Sequence, residues 1–142
     1  MIDAEQRPLL LIEDNPMDVD LTIRAFKKSN VKNPVEIARD GAEALECITR
    51  YEAGEPAPIV ILLDLQLPKV SGLEVLKALK SNDKTASIPV VVLTTSSEDR
   101  DINTAYKLGA NSYIVKPVDF DKFVTVAQHI EIYWNSINQA PR

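Results

Sequence analysis

The sequence has little of what is typical of secreted, membrane-spanning or nucleic-acid-binding proteins. Cys47 is its only cysteine, so no disulfide can form within the chain. No apolar run approaches the roughly 18 residues that a membrane span requires, and the first residues, MIDAEQRP, contain no apolar stretch like that of a signal peptide. Net charge is −5 without any lysine or arginine cluster, so direct binding to nucleic acid or to an anionic membrane has little electrostatic support. We therefore expect a soluble, cytoplasmic protein whose partners are proteins or small cations.

Glycine is also scarce, with four residues among 142, and the composition is 45% hydrophobic and 26% charged. These values are ordinary for a globular protein and unlike those of disordered or fibrous chains. The length suits one domain, since domains commonly run about 100 to 150 residues. No internal repeat, low-complexity tract or long linker divides the chain. We predict a single domain over residues 1–142, with no output domain after it.

Four short aliphatic runs predict strands that are covered on both faces of a parallel sheet. They lie at residues 9–12, 59–63, 90–93 and 113–115. A fifth run, residues 35–38, contains Glu36 and is predicted to be an edge strand. The intervening segments have helical apolar spacing, so strand and helix alternate strictly. This alternation predicts an α/β fold with right-handed crossovers and helices on both faces of the sheet.

Helix start signals follow several of these strands. Asn15 and Pro16 are the predicted N-cap and first residue of the first helix, and Asp18 suits the positive end of its dipole. Asp40 and Ser71 are the predicted N-caps of the second and third helices. The first helix is therefore predicted to begin directly after the acidic end of the first strand.

Polar residues stand at the ends of four of the five predicted strands. Glu13 and Asp14 follow the first strand and Asp64 the third, Thr94 follows the fourth, and Lys116 follows the fifth. Ligands of open doubly wound sheets bind beyond the carboxyl ends of the strands, so these side chains are predicted to converge. Three converging carboxylates repel one another, and a hard cation such as Mg²⁺ relieves that repulsion. A metal, a lysine and a hydroxyl around one carboxylate suit phosphoryl transfer, which makes Asp64 the predicted acceptor.

As a set, these motifs resemble the receiver domain of two-component response regulators. The matching stretches are LLIEDNP, ILLDLQLPKVSG, VVVLTTS and YIVKP. They are spaced by 50 residues from Asp14 to Asp64, 30 from Asp64 to Thr94, and 22 from Thr94 to Lys116. The resemblance runs from about residue 8 to about residue 133, with a C-terminal helix extension to about residue 137. It implies a flavodoxin-like (βα)5 fold whose five parallel strands have the order 2-1-3-4-5.

The resemblance also implies a metal site and a phosphoacceptor. Asp64 would accept a phosphoryl group from the phosphohistidine of a sensor histidine kinase. Asp14 would bind Mg²⁺ directly, Glu13 would act mainly through a metal-bound water, and the backbone carbonyl of Gln66 would complete the protein ligands together with Asp64. Glu13 stands where an aspartate is commoner in this family, which lengthens one arm of the acid pair.

Other residues would bind the phosphoryl group or transmit its arrival. Lys116 and Thr94 would hold phosphoryl oxygens, and Tyr113 would be the switch aromatic whose packing changes as Thr94 is drawn to the phosphate. Gln66 and Ser96 occupy variable positions that border the path of the water attacking the acyl phosphate. The lifetime of the phosphorylated state is therefore not predicted by the sequence.

Three stretches, EDNPMDVDL, VVVLTTS and the loop SNDKTASIP, are most similar to the small regulators paired with bacterial phytochrome-type histidine kinases. This similarity implies a phytochrome-like sensor kinase as phosphodonor, in a light-signalling pathway. Another two-component system or phosphorelay is the alternative. The downstream protein target is not identified by the sequence.

The predicted fifth helix, which starts after Asp119, has a wider apolar face than is needed to cover one side of a sheet. Its stripe and the residues that widen it include Phe120, Phe123, Val126, Ala127, Ile130, Tyr133, Trp134 and Ile137. A surplus apolar face marks a partner surface. We therefore hypothesise a homodimer formed through the fourth helix, fifth strand and fifth helix, with an interface of Val126, Ile130, Tyr133, Trp134 and Ile137. A helix that simply extends past the sheet is the alternative.

Three other classes of protein share some of these features. A haloacid-dehalogenase-type phosphohydrolase shares the nucleophilic aspartate, but its D-x-D motif is absent because Gln66 stands two residues after Asp64. A flavodoxin-like cofactor binder needs a phosphate loop rich in Ser, Thr and Gly after the first strand, where this chain has acids. A degenerate receiver that serves only as a scaffold would not need Asp14, Asp64, Thr94 and Lys116 together. We therefore predict a phosphorylated regulator, not an enzyme, with the haloacid-dehalogenase-type phosphohydrolase as the alternative class.

Overall fold

The computed structural model describes residues 7–116 and 119–130, in which five strands alternate with five helices. The strands are β1 (Leu9–Ile12), β2 (Val35–Ala38), β3 (Val60–Leu63), β4 (Val90–Thr94) and β5 (Ser112–Val115). The helices are α1 (Pro16–Lys28), α2 (Gly41–Glu52), α3 (Gly72–Ser81), α4 (Asp99–Lys107) and α5 (Phe120–Ile130).

All five strands form one parallel sheet in the order β2-β1-β3-β4-β5. This order confirms the predicted flavodoxin-like α/β fold and the edge position of β2. The direction of strand addition reverses between β1 and β3, and a crevice therefore opens beyond the carboxyl ends of these two strands. The fold thus fixes where a ligand site is expected.

The sheet separates two apolar layers, because successive side chains of a strand point to opposite faces. Leu10 and Ile12 of β1 pack with α2, α3 and α4, whereas Leu9 and Leu11 pack with α1 and α5. All four side chains are buried. Strands that are covered on both faces explain why β1, β3 and β4 are continuous aliphatic runs rather than alternating ones.

The helices begin where the sequence predicts. Asn15 caps α1 through its Oδ1, which accepts a hydrogen bond from the backbone N–H of Met17 at 2.9 Å. Asp40 and Ser71 cap α2 and α3 in the same way. These caps satisfy amide groups that lack partners within the helix, so each helix starts at the residue after its cap.

Two of the four glycines allow α2 and α3 to contact the loop between β3 and α3. A Cβ atom on Gly72 would lie 2.4 Å from the carbonyl oxygen of Asp64, and one on Gly41 would lie 2.1 Å from that of Val70. Gly41 also donates its N–H to the carbonyl of Pro68 at 3.1 Å. Since no side chain fits at either position, glycine is required by close packing.

Some boundaries differ from the predicted ones by one residue. β4 continues to Thr94 because this residue pairs with Val115 of β5, and β3 begins at Val60 instead of Ile59. The predicted extension of α5 to about residue 137 lies outside the described residues. Within residues 7–116 and 119–130, no helix combines the length and apolarity that a bilayer span needs.

Candidate functional site

The sheet aligns the predicted site residues at one edge by extending its hydrogen bonding past the strand ends. The N–H of Glu13 donates to Ala38 at 2.9 Å, and that of Asp64 donates to Ile12 at 3.0 Å. The N–H of Lys116 donates to the carbonyl of Thr94 at 2.7 Å. Because each residue directly follows a strand, its side chain emerges at the crevice between the apolar layers.

Three carboxylates meet in this crevice. Oxygens of Glu13, Asp14 and Asp64 lie within 4.8 Å of one another, with Glu13 and Asp64 buried and Asp14 exposed. Asp64 Oδ1 accepts a hydrogen bond from the N–H of Gln66 at 3.0 Å, and Glu13 Oε2 accepts one from the N–H of Asn15 at 3.3 Å. The Asp14 carboxylate has no hydrogen bond or ion pair among the described residues, which leaves its oxygens available to a ligand.

Lys116 brings the positive charge into this cluster. Its side chain is only 10% exposed, and its Nζ donates hydrogen bonds to carboxylate oxygens of Glu13, Asp18 and Asp64. The Nζ lies 2.8 Å from Asp18 Oδ2 and 3.3 Å from Asp64 Oδ2. Three partners use all three protons of the ammonium group.

The environment shifts the pKa values of two of these groups. Burial raises the pKa of Glu13 to about 7, although the hydrogen bond from Lys116 opposes the rise, and the charge of Asp64 adds to it. Burial alone would lower the pKa of Lys116, but its hydrogen bonds to Asp18 and Glu13 and the charge of Asp64 raise it above its ordinary value. Lys116 therefore stays charged, whereas Glu13 is a carboxyl whose ionisation costs free energy.

The donor set suits a hard divalent cation. Three acidic side chains converge, and one lysine cannot neutralise them and Asp18 as well. Oxygen ligands at a partly open site are what Mg²⁺ accepts, since it keeps several waters and binds through a few carboxylates. Gln66, the predicted source of a carbonyl ligand, lies on the same loop, two residues after Asp64.

The predicted switch residues form a separate network behind the crevice. Thr94 is fully buried, and its Oγ1 accepts a hydrogen bond from the N–H of Ser96 at 3.5 Å. Tyr113 Oη donates to the carbonyl oxygen of Ser96 at 2.9 Å, and burial raises the pKa of this phenol. Ser96 Oγ in turn donates to Asp101 of α4 at 2.5 Å. The loop after β4 therefore connects Thr94, Tyr113 and α4 through one residue.

Gln66 and Thr95 lie across the crevice from each other. Thr95 Oγ1 donates to Gln66 Oε1 at 2.5 Å, which joins the loop after β3 to the loop after β4. Gln66 is thus held by its side chain as well as by its N–H.

Asp18 is a site residue that the sequence pattern does not identify. The pattern indicates only that Asp18 suits the dipole of α1, whereas the structure brings its carboxylate to Lys116. A signal was present, because helical side chains point back toward the N-terminus and Asp18 lies in the first turn. That geometry directs the side chain toward the acidic end of β1.

The residues of the hypothesised dimer interface are described only in part. Val126 is half-buried, packs against the layer of α1 and α5, and lines a small cavity with Leu93, Ile114 and Phe123. It is therefore partly used by the domain itself. Val124, which the predicted apolar stripe omits, is buried. Ile130 is the last described residue of α5, and Tyr133, Trp134 and Ile137 lie outside the described residues.

Residues 9–128 match the response regulator receiver domain family, and the chain therefore belongs to this family. It is 41% identical over 134 residues to the probable methanogenesis regulatory protein FilR2 of Methanothrix harundinacea, covering 94% of this chain and 86% of that protein. It is 39% identical over 139 residues to response regulator Rcp1 of Synechocystis sp., covering 94% of each.

Solved structures show the same likeness. The crystal structure of the phosphorylated cyanobacterial phytochrome response regulator RcpA has a TM-score of 0.84 at 37% identity, covering 96% of this chain and 99% of that one. The Mn²⁺-bound form of response regulator Rcp1 has a TM-score of 0.82 at 37% identity, with the same coverage. The predicted resemblance to receiver domains, and to phytochrome response regulators among them, is confirmed. The family and these relatives are regulators, which confirms the prediction of a regulator instead of an enzyme and gives the phosphohydrolase alternative no support.

Proposed function

We propose that the chain is a response regulator that is phosphorylated on Asp64 by a sensor histidine kinase in a Mg²⁺-dependent reaction. The observation that carries this proposal is the meeting of Asp64 with Lys116, Glu13 and Asp14 in one crevice at the carboxyl edge of the sheet. Residues 1–142 would act as a single receiver domain.

In the proposed reaction, a carboxylate oxygen of Asp64 attacks the phosphorus atom of a phosphohistidine. A P–O bond forms as the P–N bond breaks, and the released imidazole nitrogen takes up a proton. Asp64 Oδ2 faces Lys116, whereas Oδ1 is held by the N–H of Gln66. Each oxygen of the Asp64 carboxylate therefore accepts one hydrogen bond before the phosphohistidine arrives.

Glu13, Asp14, Asp64 and the carbonyl of Gln66 would hold the metal ion. When bound, Mg²⁺ supplies positive charge to the phosphoryl oxygens and relieves the repulsion among the acids. The Mn²⁺-bound structure of the relative Rcp1 supports a divalent cation as ligand of this class of protein. Lys116 would hold a further phosphoryl oxygen through its ammonium group.

Thr94 and Tyr113 would pass the signal to α4. In the described state the Thr94 hydroxyl accepts from Ser96 and the Tyr113 hydroxyl donates to the same residue. Movement of Thr94 toward a phosphoryl oxygen would therefore disturb the one residue that also bonds Asp101 of α4.

Intact-mass measurement after incubation with acetyl phosphate and Mg²⁺ tests the phosphoacceptor. We expect the wild-type chain to gain one phosphoryl group and the Asp64→Asn variant to gain none. Asp20→Asn is the matched control, because it makes the same chemical change at an exposed residue of α1 that, in the part of the chain that the structure describes, pairs only with Arg24. Absence of added phosphate on the wild-type chain, or its presence on the Asp64→Asn variant, would overturn the proposal.

A phytochrome-type kinase is the proposed phosphodonor, and light the stimulus. The likeness to the phytochrome response regulator RcpA supports this pathway, whereas the relative FilR2 is a probable regulator of methanogenesis. Competitive phosphotransfer from purified kinases distinguishes the two. We expect transfer from a bacteriophytochrome kinase at least tenfold faster than from unrelated histidine kinases, and equal rates would contradict the assignment.

A homodimer formed through α4, β5 and α5 is the proposed assembly, with Val126, Ile130, Tyr133, Trp134 and Ile137 at its centre. Sedimentation at high micromolar concentration, with and without a phosphoryl mimic such as beryllofluoride, tests it. We expect a dimer that Ile130→Glu disrupts and Gln128→Glu leaves intact, since Gln128 is an exposed residue of the same helix. A monomer in both conditions would refute the dimer.

A further inference from the structure

Among residues 7–116 and 119–130, Asp18 is the one carboxylate bonded to Lys116 that does not belong to the converging acid triad. Glu13 and Asp64 both contribute oxygens to the metal-binding triad as well as to Lys116. Asp18 contacts the lysine at 2.8 Å but is not among the described acids that meet within 4.8 Å. Its role is therefore separable from metal binding.

The backbone of Asp18 is held firmly in the first turn of α1. Its N–H donates to the capping Oδ1 of Asn15 at 3.4 Å, and its carbonyl accepts from the hydroxyl of the buried Thr22 at 2.8 Å. The side chain is 33% exposed, so its charge remains partly hydrated while it bonds Lys116. Asp18 is a fixed anion at the edge of the crevice.

The other two partners of Lys116 are engaged elsewhere during the proposed reaction. A divalent cation competes with Lys116 for the oxygens of Glu13 and Asp64, since both ligands belong to the triad. Phosphorylation then converts the Asp64 carboxylate into an acyl phosphate and removes the carboxylate charge that it shared with Lys116. Of the three contacts, the one to Asp18 involves neither a residue of the acid triad nor the phosphoacceptor, so it can persist through metal binding and phosphoryl transfer.

We propose that Asp18 is a positioning residue, which holds the Lys116 ammonium group within reach of Asp64 while the metal and the phosphoryl group occupy the other acids. The inference rests on the proposed function, because it concerns phosphorylation of Asp64. Without Asp18, the ammonium group of Lys116 would bond only the carboxylate oxygens of Glu13 and Asp64, which the metal and the phosphoryl group need.

The sign of the effect separates positioning from simple electrostatics. Removing one negative charge near an incoming phosphoryl group would by itself reduce repulsion and raise the rate. Loss of positioning lowers the rate instead. Asp18→Asn is therefore expected to slow phosphorylation by acetyl phosphate at saturating Mg²⁺ about tenfold, although its net charge favours the reaction.

Three variants make the test specific. Asp20→Asn changes the net charge equally on the same helix and is expected to react at the wild-type rate, since Asp20 forms an exposed ion pair with Arg24 and no described contact to Lys116. Asp18→Glu keeps the charge on an arm longer by one methylene and is expected to recover a rate between those of wild type and Asp18→Asn. Thermal unfolding confirms that each variant is folded.

Two further readouts exclude a merely structural or metal-binding role. Calorimetric titration with Mg²⁺ is expected to give Asp18→Asn an affinity within twofold of wild type, whereas Asp14→Asn weakens binding strongly. The ammonium protons of Lys116, observed by ¹⁵N-resolved NMR, are expected to exchange with water faster in Asp18→Asn but not in Asp20→Asn. A rate for Asp18→Asn equal to or above wild type, or Mg²⁺ affinity reduced as in Asp14→Asn, would overturn the inference.

The outcomes also distinguish this inference from the proposed function. If the wild-type chain gains no phosphate, the proposed function fails. If the wild-type chain is phosphorylated on Asp64 and Asp18→Asn behaves like Asp20→Asn, the function stands and only the role of Asp18 is wrong.

Discussion

Lys116 and Arg50 are each surrounded by carboxylates, but in different environments. Lys116 bonds three acids at the sheet edge with a side chain that is 10% exposed. Arg50 of α2 pairs with Glu36 at 3.0 Å and Glu55 at 2.9 Å, and its side chain is 46% exposed. Both clusters hold more negative than positive charge, and only one of them is removed from water.

The difference shows what each cluster contributes. Exposed ion pairs such as those of Arg50 stabilise a fold by about 0 to 1 kcal/mol, because water and salt screen them. Burying charges costs several kcal/mol for each ion unless every one is compensated. Since the acids around Lys116 outnumber it, the cluster is not explained by stability. Its arrangement fits the proposed cation and phosphoryl group, which would complete it.

The largest expected effect comes from removing the buried cation. Lys116→Met should lower the rate of phosphorylation at least about 100-fold, because a donor to the phosphoryl oxygens is lost. At pH 8 without metal it should also lower the free energy of unfolding by about 3 kcal/mol, because Glu13 is left buried and unpaired. Urea denaturation measures the second effect, with Arg50→Met as matched control. Equal losses in the two variants would show that burial does not distinguish the clusters.

Metal addition should stabilise the buried cluster by a comparable amount. Mg²⁺ at about 100 times its dissociation constant should raise the free energy of unfolding by about 2.7 kcal/mol, since it binds only the folded state. Asp14→Asn should lose most of this gain, yet be more stable than wild type without metal, because one repulsive charge is gone. Arg50→Gln should keep the full gain. Urea denaturation with and without Mg²⁺ measures this gain in the free energy of unfolding. If Asp14→Asn gains as much as wild type, Asp14 is not a metal ligand.

The pH dependence of stability should carry a signature of Glu13. Its pKa is raised from 4.5 to about 7, so the folded state binds more protons than the unfolded state between these values. Without metal, the contribution of Glu13 to the free energy of unfolding is therefore greatest below about pH 4.5, and it is lost as the pH rises to about 7. Each unit of pKa difference is about 1.4 kcal/mol, so we expect the shift of Glu13 to cost on the order of 2 to 3 kcal/mol of stability.

The Glu13→Gln variant is the control for this pH dependence, because an amide does not titrate. Thermal melts from pH 4.5 to 8 should show the fall in wild type and not in the variant, and Mg²⁺ should flatten the wild-type profile. An identical fall in Glu13→Gln would assign the effect to other groups.

The smallest effect is expected at the exposed cluster. Arg50→Gln should cost less than about 1 kcal/mol, and 1 M salt should remove most of that difference, because the Debye length falls to about 3 Å. Urea denaturation at low and high salt measures it. A larger loss that resists salt would show that Arg50 acts through packing on Tyr51 or Cys47, both of which it contacts.

The sequence predicted the elements that local chemistry determines. Aliphatic runs marked the strands, and Asn15, Asp40 and Ser71 marked the helix starts, because a cap depends on residues that are neighbours in the chain. The convergence of Glu13, Asp14, Asp64 and Lys116 was also predicted, since the parallel sheet brings all strand ends to one edge.

Contacts that depend on side-chain reach could not be predicted in the same way. The bond from Lys116 to Asp18 spans 98 residues and depends on how far a lysine extends across the crevice. The bond from Thr95 to Gln66 spans 29 residues and depends on the relative position of the loops after β3 and β4. Such contacts follow from packing of the whole domain, which periodicity does not specify.

The close contacts at Gly41 and Gly72 make the loop after β3 more tightly packed than the loop after β4. On the β3 side of the crevice, backbone lies against backbone without an intervening side chain, so the loop that carries Asp64 has almost no free space in which to shift. On the β4 side, the loop is held by hydrogen bonds from the hydroxyl groups of Thr95, Ser96 and Tyr113. These hydroxyl groups can change partners without displacing closely packed backbone. Asp64, the proposed phosphoacceptor, therefore lies on a closely packed loop, and we expect a change made at Asp64 to be accommodated by movement of β4, α4 and β5.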